Sequence, residues 1–260
     1  MRLKSFGLSD IGLQRPNNED VWAALPEAGF FALADGMGGH KGGEVAAKEA
    51  VDSLLGSARR IKHNNCMELM IELRHAIDKA NQSVYQMGLS SDSLAGMGTT
   101  LCCLFWTEEY IVYAHIGDSR IYRLRDGKLE LLTQDHSLLA KWLATGKLAE
   151  ECETPFPYKN VITRALGTSS RPKPEIAVAR HIFEDLYLLS TDGLHDALSL
   201  EEMENELNGT RNLETACKNM IELAKFKGSS DNMTLLAIKS ERTNPLVKNE
   251  TNGASEAKPD

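Results

Sequence analysis

The stretch Phe30-Phe31-Ala32-Leu33-Ala34-Asp35-Gly36-Met37-Gly38-Gly39-His40-Lys41-Gly42-Gly43 constrains the fold most: a short apolar run stops abruptly at one carboxylate and a glycine-rich loop. Apolar runs this short, rich in Phe and Leu and closed by glycine, read as interior strands, here one that delivers an acid to a rim. Glycine at such a point lets the backbone approach a small charged ligand closely. Two ligand chemistries suit the loop, because nests of N–H groups hold phosphate anions whereas an aspartate with nearby carbonyl oxygens holds a hard cation.

Three further acids tip the balance toward the cation: Asp20 in Arg15-Pro16-Asn17-Asn18-Glu19-Asp20, Asp192 in Ser190-Thr191-Asp192-Gly193, and Asp231 in Gly228-Ser229-Ser230-Asp231-Asn232. Each reads as sitting where a strand meets a polar turn. A lone Asp in that setting is usually a turn residue or helix cap; several together are harder to explain that way. Asp35, Asp192 and Asp231 would form an oxygen-only site suited to Mg²⁺ or Mn²⁺, since neither His nor Cys completes a soft-metal set beside them. If Asp35 bridges two ions, the Gly36 carbonyl offers a further oxygen and Asp20 can orient a bound water. Two ions about 3.5–4 Å apart activate water and neutralise phosphoryl oxygens, which points to hydrolysis of a phosphate ester.

With 260 residues and average apolar and charged fractions, the chain can bury one substantial core, and it reads as a single domain. A formal net charge of −8 argues against a nucleic-acid binder or a membrane-surface protein, both of which need basic surface. Cys66, Cys102, Cys103, Cys152 and Cys217 show neither a CxxC pair nor zinc spacing and read as reduced, mostly buried thiols. The start, Met1-Arg2-Leu3-Lys4-Ser5, leads into no apolar segment, and no run approaches the length of a membrane span, so the expected location is cytoplasmic.

Strands are expected over Lys4–Gly12, Val21–Leu25, the run to Asp35, Thr99–Trp106, Tyr110–Ile116, Ile121–Leu124, Leu129–Leu132, Glu175–Val178, Asp185–Ser190 and Met233–Ile238. Asp126-Gly127 is a strong hairpin signal. Helical spacing covers Glu44–Leu55, about Met67–Met87 and Ser137–Thr145. A capping box at Ser199-Leu200-Glu201-Glu202 opens another helix, and Asn212 caps one that Gly228 closes. Gly146–Lys159 has no clean period and reads as an irregular flap, and Glu241–Asp260 as a disordered tail. Strands and helices come in blocks without regular βαβ alternation, which favours an α+β fold of antiparallel sheets covered by helices.

The ordered set Arg15-Pro16-Asn17-Asn18-Glu19-Asp20, Ala34-Asp35-Gly36-Met37-Gly38-Gly39, Gly98-Thr99-Thr100, Gly117-Asp118-Ser119-Arg120, Asp135-His136-Ser137, Ile162-Thr163-Arg164-Ala165-Leu166-Gly167, Ser190-Thr191-Asp192-Gly193-Leu194 and Ser230-Asp231-Asn232 resembles the metal-dependent Ser/Thr protein phosphatases of the PPM (type 2C) family, bacterial branch. The resemblance runs from about Lys4 to Ser240. It implies a four-layer α+β sandwich, two antiparallel β-sheets flanked by helices, forming a single catalytic domain over 1–240 with a flap at about 146–160 and a tail over 241–260. It assigns Asp35, Asp192 and Asp231 to a first Mn²⁺ or Mg²⁺ ion and Asp35 with the Gly36 carbonyl to a second. Asp20, with Glu19, would help through bound water, and Asp118 with Asp196 would hold a third, weaker ion. Arg15 would grip the substrate phosphate, a task that suits the guanidinium fork.

The family's animal members carry a histidine where this chain has Met37. His40 is similar to the histidine that bacterial relatives present a few residues later, and it would serve as general acid. His136 is expected to anchor a turn, and Arg120 and Arg164 to tie strands or the flap to acids. The implied partners are phosphorylated protein substrates, those of a Ser/Thr kinase, with no nucleic acid and no membrane. The alternative is a catalytically inactive phosphoprotein-binding module of the same fold. A dinucleotide site at Gly36–Lys41 is disfavoured because the G-x-G-x-x-G spacing fails at Lys41.

Overall fold

A computed structural model describes residues 2–38, 42–62, 65–145, 158 and 161–241. In chain order it contains β1 (Arg2–Asp10), β2 (Asp20–Leu25), β3 (Phe30–Met37), α1 (Gly42–Ala58), α2 (Cys66–Ser90), β4 (Gly98–Thr99), β5 (Leu101–Trp106), β6 (Tyr110–Ile116), β7 (Arg120–Arg125), β8 (Lys128–Leu131) and α3 (Leu138–Ala144). Then follow β9 (Glu175–Arg180), β10 (Leu186–Ser190), α4 (Asp192–His195), α5 (Leu200–Gly209), α6 (Leu213–Phe226) and β11 (Met233–Glu241).

The strands form two antiparallel sheets, one in the order β1-β11-β10-β7-β8 and one in the order β2-β3-β5-β6-β9, with β4 pairing β3. Side-chain alternation along β3 assigns the layers: Phe30 and Ala32 pack against α1 and α2, whereas Phe31 and Leu33 point into the space between the sheets. There they meet Leu104 of β5, Tyr187 and Leu189 of β10, and Leu236 and Ile238 of β11. On the far side α5 and α6 cover Leu188, Leu235 and Ala237. The result is the four-layer sandwich, helix–sheet–sheet–helix. Because β3 is covered on both faces, it reads in sequence as a continuous apolar run and not as an alternating one.

Most expected elements are present, often a residue or two longer. Asp126 (φ 50°) and Gly127 (φ 74°) both take the left-handed conformation that a tight hairpin requires. Ser199 accepts from the Glu202 N–H while the Glu202 side chain accepts from the Ser199 N–H, so the capping box closes in both directions. Three expectations change. The strand expected from Thr99 is broken at Thr100, whose backbone and hydroxyl turn to Asp35. A one-turn helix, α4, begins at Asp192. The last strand continues through polar Lys239, Ser240 and Glu241, because β1 pairs it as far as Arg2. No helix among the described residues is long and apolar enough to cross a membrane. Cys66, Cys102, Cys103 and Cys217 are free thiols, three of them buried. Cys152, most of the expected flap and residues 242–260 lie outside the described residues.

Candidate metal centre

The centre is built from the register of the β2–β3 hairpin. Asp20 and Asp35 are directly opposite each other in the antiparallel ladder, so their side chains share one face. Asp35 is held by its backbone: its N–H donates to Thr100 Oγ1 (2.9 Å), and its carbonyl accepts from the Thr100 N–H and the Thr99 hydroxyl (2.8 Å each). Asp192, the first residue of α4, follows Thr191, whose hydroxyl donates to Asp20 Oδ2 (2.9 Å) and accepts from the Thr234 N–H (2.9 Å). Asp118 is buried just after Gly117, where the backbone turns with φ 104° and a Cβ would lie 2.7 Å from the Thr100 side chain. Asp231 precedes β11 and accepts from Arg15 Nη2 at 2.6 Å.

These carboxylates act on one another. Burial, then the charges of Asp20, Asp192, Asp118 and Asp231, hold the Asp35 carboxyl well above its usual range. Burial, with Asp192 and Asp231 adding to it, pushes Asp20 up to about 7 despite opposing hydroxyl donors. Asp118 rises to about 7 through burial and the charge of Asp192, and Asp192 to about 6 through burial and the charge of Asp231. Two carboxylates about 5 Å apart at an effective dielectric near 20 repel by about 3 kcal/mol. A hydrogen bond such as that from Thr191 contributes only about 1 kcal/mol net. Repulsion wins, and the cluster must retain protons or take up cations.

The residues fit a hard cation. Asp20 Oδ1 and Asp192 Oδ1 are buried without a hydrogen-bond partner, every candidate donor is oxygen, and beside Asp192 and Asp231 lies a cavity of about 240 Å³ that Asp196 also lines. Gly36 also has a packing reason for lacking a side chain. A Cβ there would lie 2.1 Å from the Gly43 carbonyl oxygen and 2.8 Å from that of Glu19, so the glycine lets the start of α1 close onto β3. His40 lies outside the described residues.

Proton retention gives a testable sign. The raised carboxyls keep protons in the folded chain at pH values where the unfolded chain has lost them, so metal-free stability falls as pH rises from about 4 toward 7. Chelator-treated protein is expected to melt several degrees lower at pH 7.5 than at pH 5.5, with Mn²⁺ raising the melting temperature more at pH 7.5. A chelated melting temperature that is flat or rises over this range would contradict the cluster electrostatics.

The residue that sequence reasoning passed over is Asn232. Buried beside Asp231, its amide donates to the carbonyls of Ile11 (2.9 Å) and Asn17 (3.0 Å), and its Oδ1 accepts from the Glu19 N–H (2.8 Å). One side chain thus ties the loop carrying Arg15 to the strand mouth carrying Asp231. The available signal was an amide directly after a candidate ligand. Among the described residues, the group whose ligand atoms all lie within 4.8 Å of one another is His115, His136 and Glu175, and no three of the aspartates meet that spacing. There, however, Arg164 Nη1 lies 2.9 Å from Glu175 Oε1 and 3.0 Å from His136 Nε2, while Gly117 N–H donates to His136 Nδ1. The guanidinium already supplies the positive charge, so His136 anchors a turn and Arg164 is structural, as is Arg120 on Asp135.

Comparison with known proteins agrees with this frame. The family model described as protein phosphatase 2C matches residues 13–227. The serine/threonine phosphatase stp of Listeria monocytogenes is 34% identical over 239 residues, 90% of this chain and 95% of that one. The crystal structure of the Mycobacterium tuberculosis serine/threonine phosphatase PstP/Ppp superposes with a TM-score of 0.86 at 32% identity, covering 93% of this chain and 100% of that one. The PstP catalytic domain in complex with two manganese ions gives 0.82 at 32% identity, covering 92% and 98%. The chain belongs to the protein phosphatase 2C family. It is an enzyme, a protein phosphatase, and so a phosphoric monoester hydrolase.

Proposed function

We propose that this enzyme hydrolyses phosphoserine and phosphothreonine in proteins at a pair of Mn²⁺ or Mg²⁺ ions. The observation that carries the proposal is the convergence of Asp20, Asp35, Asp118, Asp192 and Asp231, with two buried carboxylate oxygens left without partners. The two manganese ions in the PstP catalytic domain and the Ser/Thr activity in the relatives' names support it. Asp35, Asp192 and Asp231 are the proposed ligands of one ion, Asp35 and the Gly36 carbonyl those of the other. Asp20 and Glu19 act through water, and Asp118 with Asp196 holds a third ion. Ions held by these residues would supply activation of water and neutralisation of charge on the phosphoryl oxygens. Arg15 leaves Asp231 to grip the substrate phosphate with its planar fork. His40 protonates the departing alkoxide.

The substrates are phosphoproteins made by a Ser/Thr kinase, the site of action is the cytoplasm, and residues 1–240 act as one catalytic domain. The test is phosphate release from a phosphothreonine peptide by chelator-stripped protein with and without Mn²⁺. Release is expected only with metal, and folded, metal-loaded protein that binds several phosphopeptides but releases no phosphate would overturn the proposal. In the same assay Asp118→Ala is expected to lower turnover about tenfold or more while calorimetry still counts two bound Mn²⁺; loss of all metal binding would move Asp118 into the core pair.

A further inference from the structure

A cavity of about 570 Å³ is separate from the acids and carries the opposite charge. It lies between α3 and the segment that runs from Thr163 to β9. Lys141, Arg164, Arg171 and Lys173 line it together with Asp135 and Glu175. Both acids are already neutralised: Asp135 takes a two-point bond from Arg120 (2.9 and 2.7 Å), and Glu175 is bonded to Arg164. Among the described residues the Lys141, Arg171 and Lys173 side chains are exposed and have no hydrogen-bond or ion-pair partner. Of the wall hydroxyls, Thr163 donates to the His136 carbonyl, Thr168 to that of Ala165 and Ser169 to that of Arg171, while Ser137 Oγ accepts from the Ala140 N–H. Three unmatched cations therefore converge on a polar hollow in a chain whose formal net charge is −8.

The cavity is tied to the metal centre by two short links. Its wall residue His136 exchanges hydrogen bonds with Gly117, next to Asp118. Leu166, within the lining segment, pairs with Thr99, which donates to the Asp35 carbonyl. Each extended residue of a polypeptide whose phosphate sits at the acids carries the chain about 3.3–3.6 Å further, so residues three to eight positions away sample roughly 10–29 Å around the centre.

We propose that this cavity docks an anionic segment of the phosphoprotein substrate, glutamates or a second phosphate, a few residues from the phosphate being removed. The inference rests on the phosphoprotein-phosphatase proposal above. Such a site supplies affinity without touching the reacting atoms, so it acts on KM and not on kcat, and it weakens with salt because the pairs are exposed.

The test uses phosphothreonine peptides carrying three glutamates, or one phosphoserine, three to eight residues to either side, with glutamine or serine versions as controls. The full chain is compared with its Lys141→Gln/Arg171→Gln/Lys173→Gln variant. At the best spacing, wild type is expected to favour the anionic peptide about tenfold in kcat/KM through KM, the scale of three exposed ion pairs together. That preference should vanish in 0.5 M salt and in the variant, while p-nitrophenyl phosphate is turned over equally by both proteins. The glutamate and phosphoserine arms distinguish the two anions. Equal or poorer use of anionic peptides by wild type at every spacing would overturn the docking site, as would a preference that survives in the variant. Turnover of the glutamine peptide and of p-nitrophenyl phosphate reports separately on the phosphatase activity, so the two proposals fail independently.

Discussion

Asp192→Ala is expected to lower Mn²⁺-dependent phosphate release by about a thousandfold or more without unfolding the protein. The activity loss follows from removing one of the carboxylates that converge on the candidate ion site, whose Oδ1 has no other partner. Retention of the fold follows from the same electrostatics. Burial and the charge of Asp231 push the Asp192 carboxyl up to about 6, so in metal-free protein at neutral pH this side chain strains the structure. Chelated Asp192→Ala should therefore melt no lower than chelated wild type at pH 7.5, yet lose most of the upward shift on adding Mn²⁺. An ordinary core mutation gives the reverse, a lower melting temperature with the metal response intact. Full activity in the variant would remove Asp192 from the site.

Asn232→Ala is expected to be damaging in the opposite way. It deletes three hydrogen bonds, to Ile11, Asn17 and Glu19, and leaves part-buried backbone groups without partners. At roughly 1 kcal/mol for each bond, the loss is on the order of 3 kcal/mol, which lowers the melting temperature of a chain this size by about 6–12 °C. The loop that carries Arg15 loses its tie to β11, so KM for phosphorylated substrates should rise along with the thermal effect. Asn232→Asp keeps the acceptor for the Glu19 N–H but loses the two donors and faces two carbonyl oxygens with a charge; it should not rescue. A melting temperature within a degree of wild type for Asn232→Ala would show that the loop is held by other contacts.

Features encoded by neighbouring residues were legible in the sequence. The apolar run into Asp35, the Asp126-Gly127 hairpin and the Ser199–Glu202 capping box each depend on a handful of consecutive side chains, and each is present. The acids of the centre were legible as types in similar contexts. What joins them was not. The pairing of Asp20 with Asp35 depends on the hairpin register, whereas the contact of Arg15 with Asp231 and the reach of Thr191 to Asp20 span 216 and 171 residues of chain and depend on the tertiary fold. Thr100 leaves its strand because its hydroxyl and N–H are taken by Asp35, a competition that no propensity at Thr100 encodes. Gly36 shows the same limit: its need for a bare backbone is set by Gly43, which helix α1 brings onto the strand.

The hairpin that joins Asp20 to Asp35 turns around Gly29, which has a left-handed backbone (φ 67°) and would place a Cβ 2.3 Å from the Trp106 carbonyl oxygen. Side chains on a strand alternate between faces, so a slip of one residue in this pairing carries one carboxylate to the opposite side of the sheet. The spacing of the two acids is thus held by a turn at the other end of their strands, 15 to 20 Å away at about 3.4 Å per residue. Loop length, usually the most freely varied property of a protein, bears here on the candidate centre: an insertion at Pro26–Gly29 that shifted the β2–β3 register would move Asp20 relative to Asp35 without altering either residue.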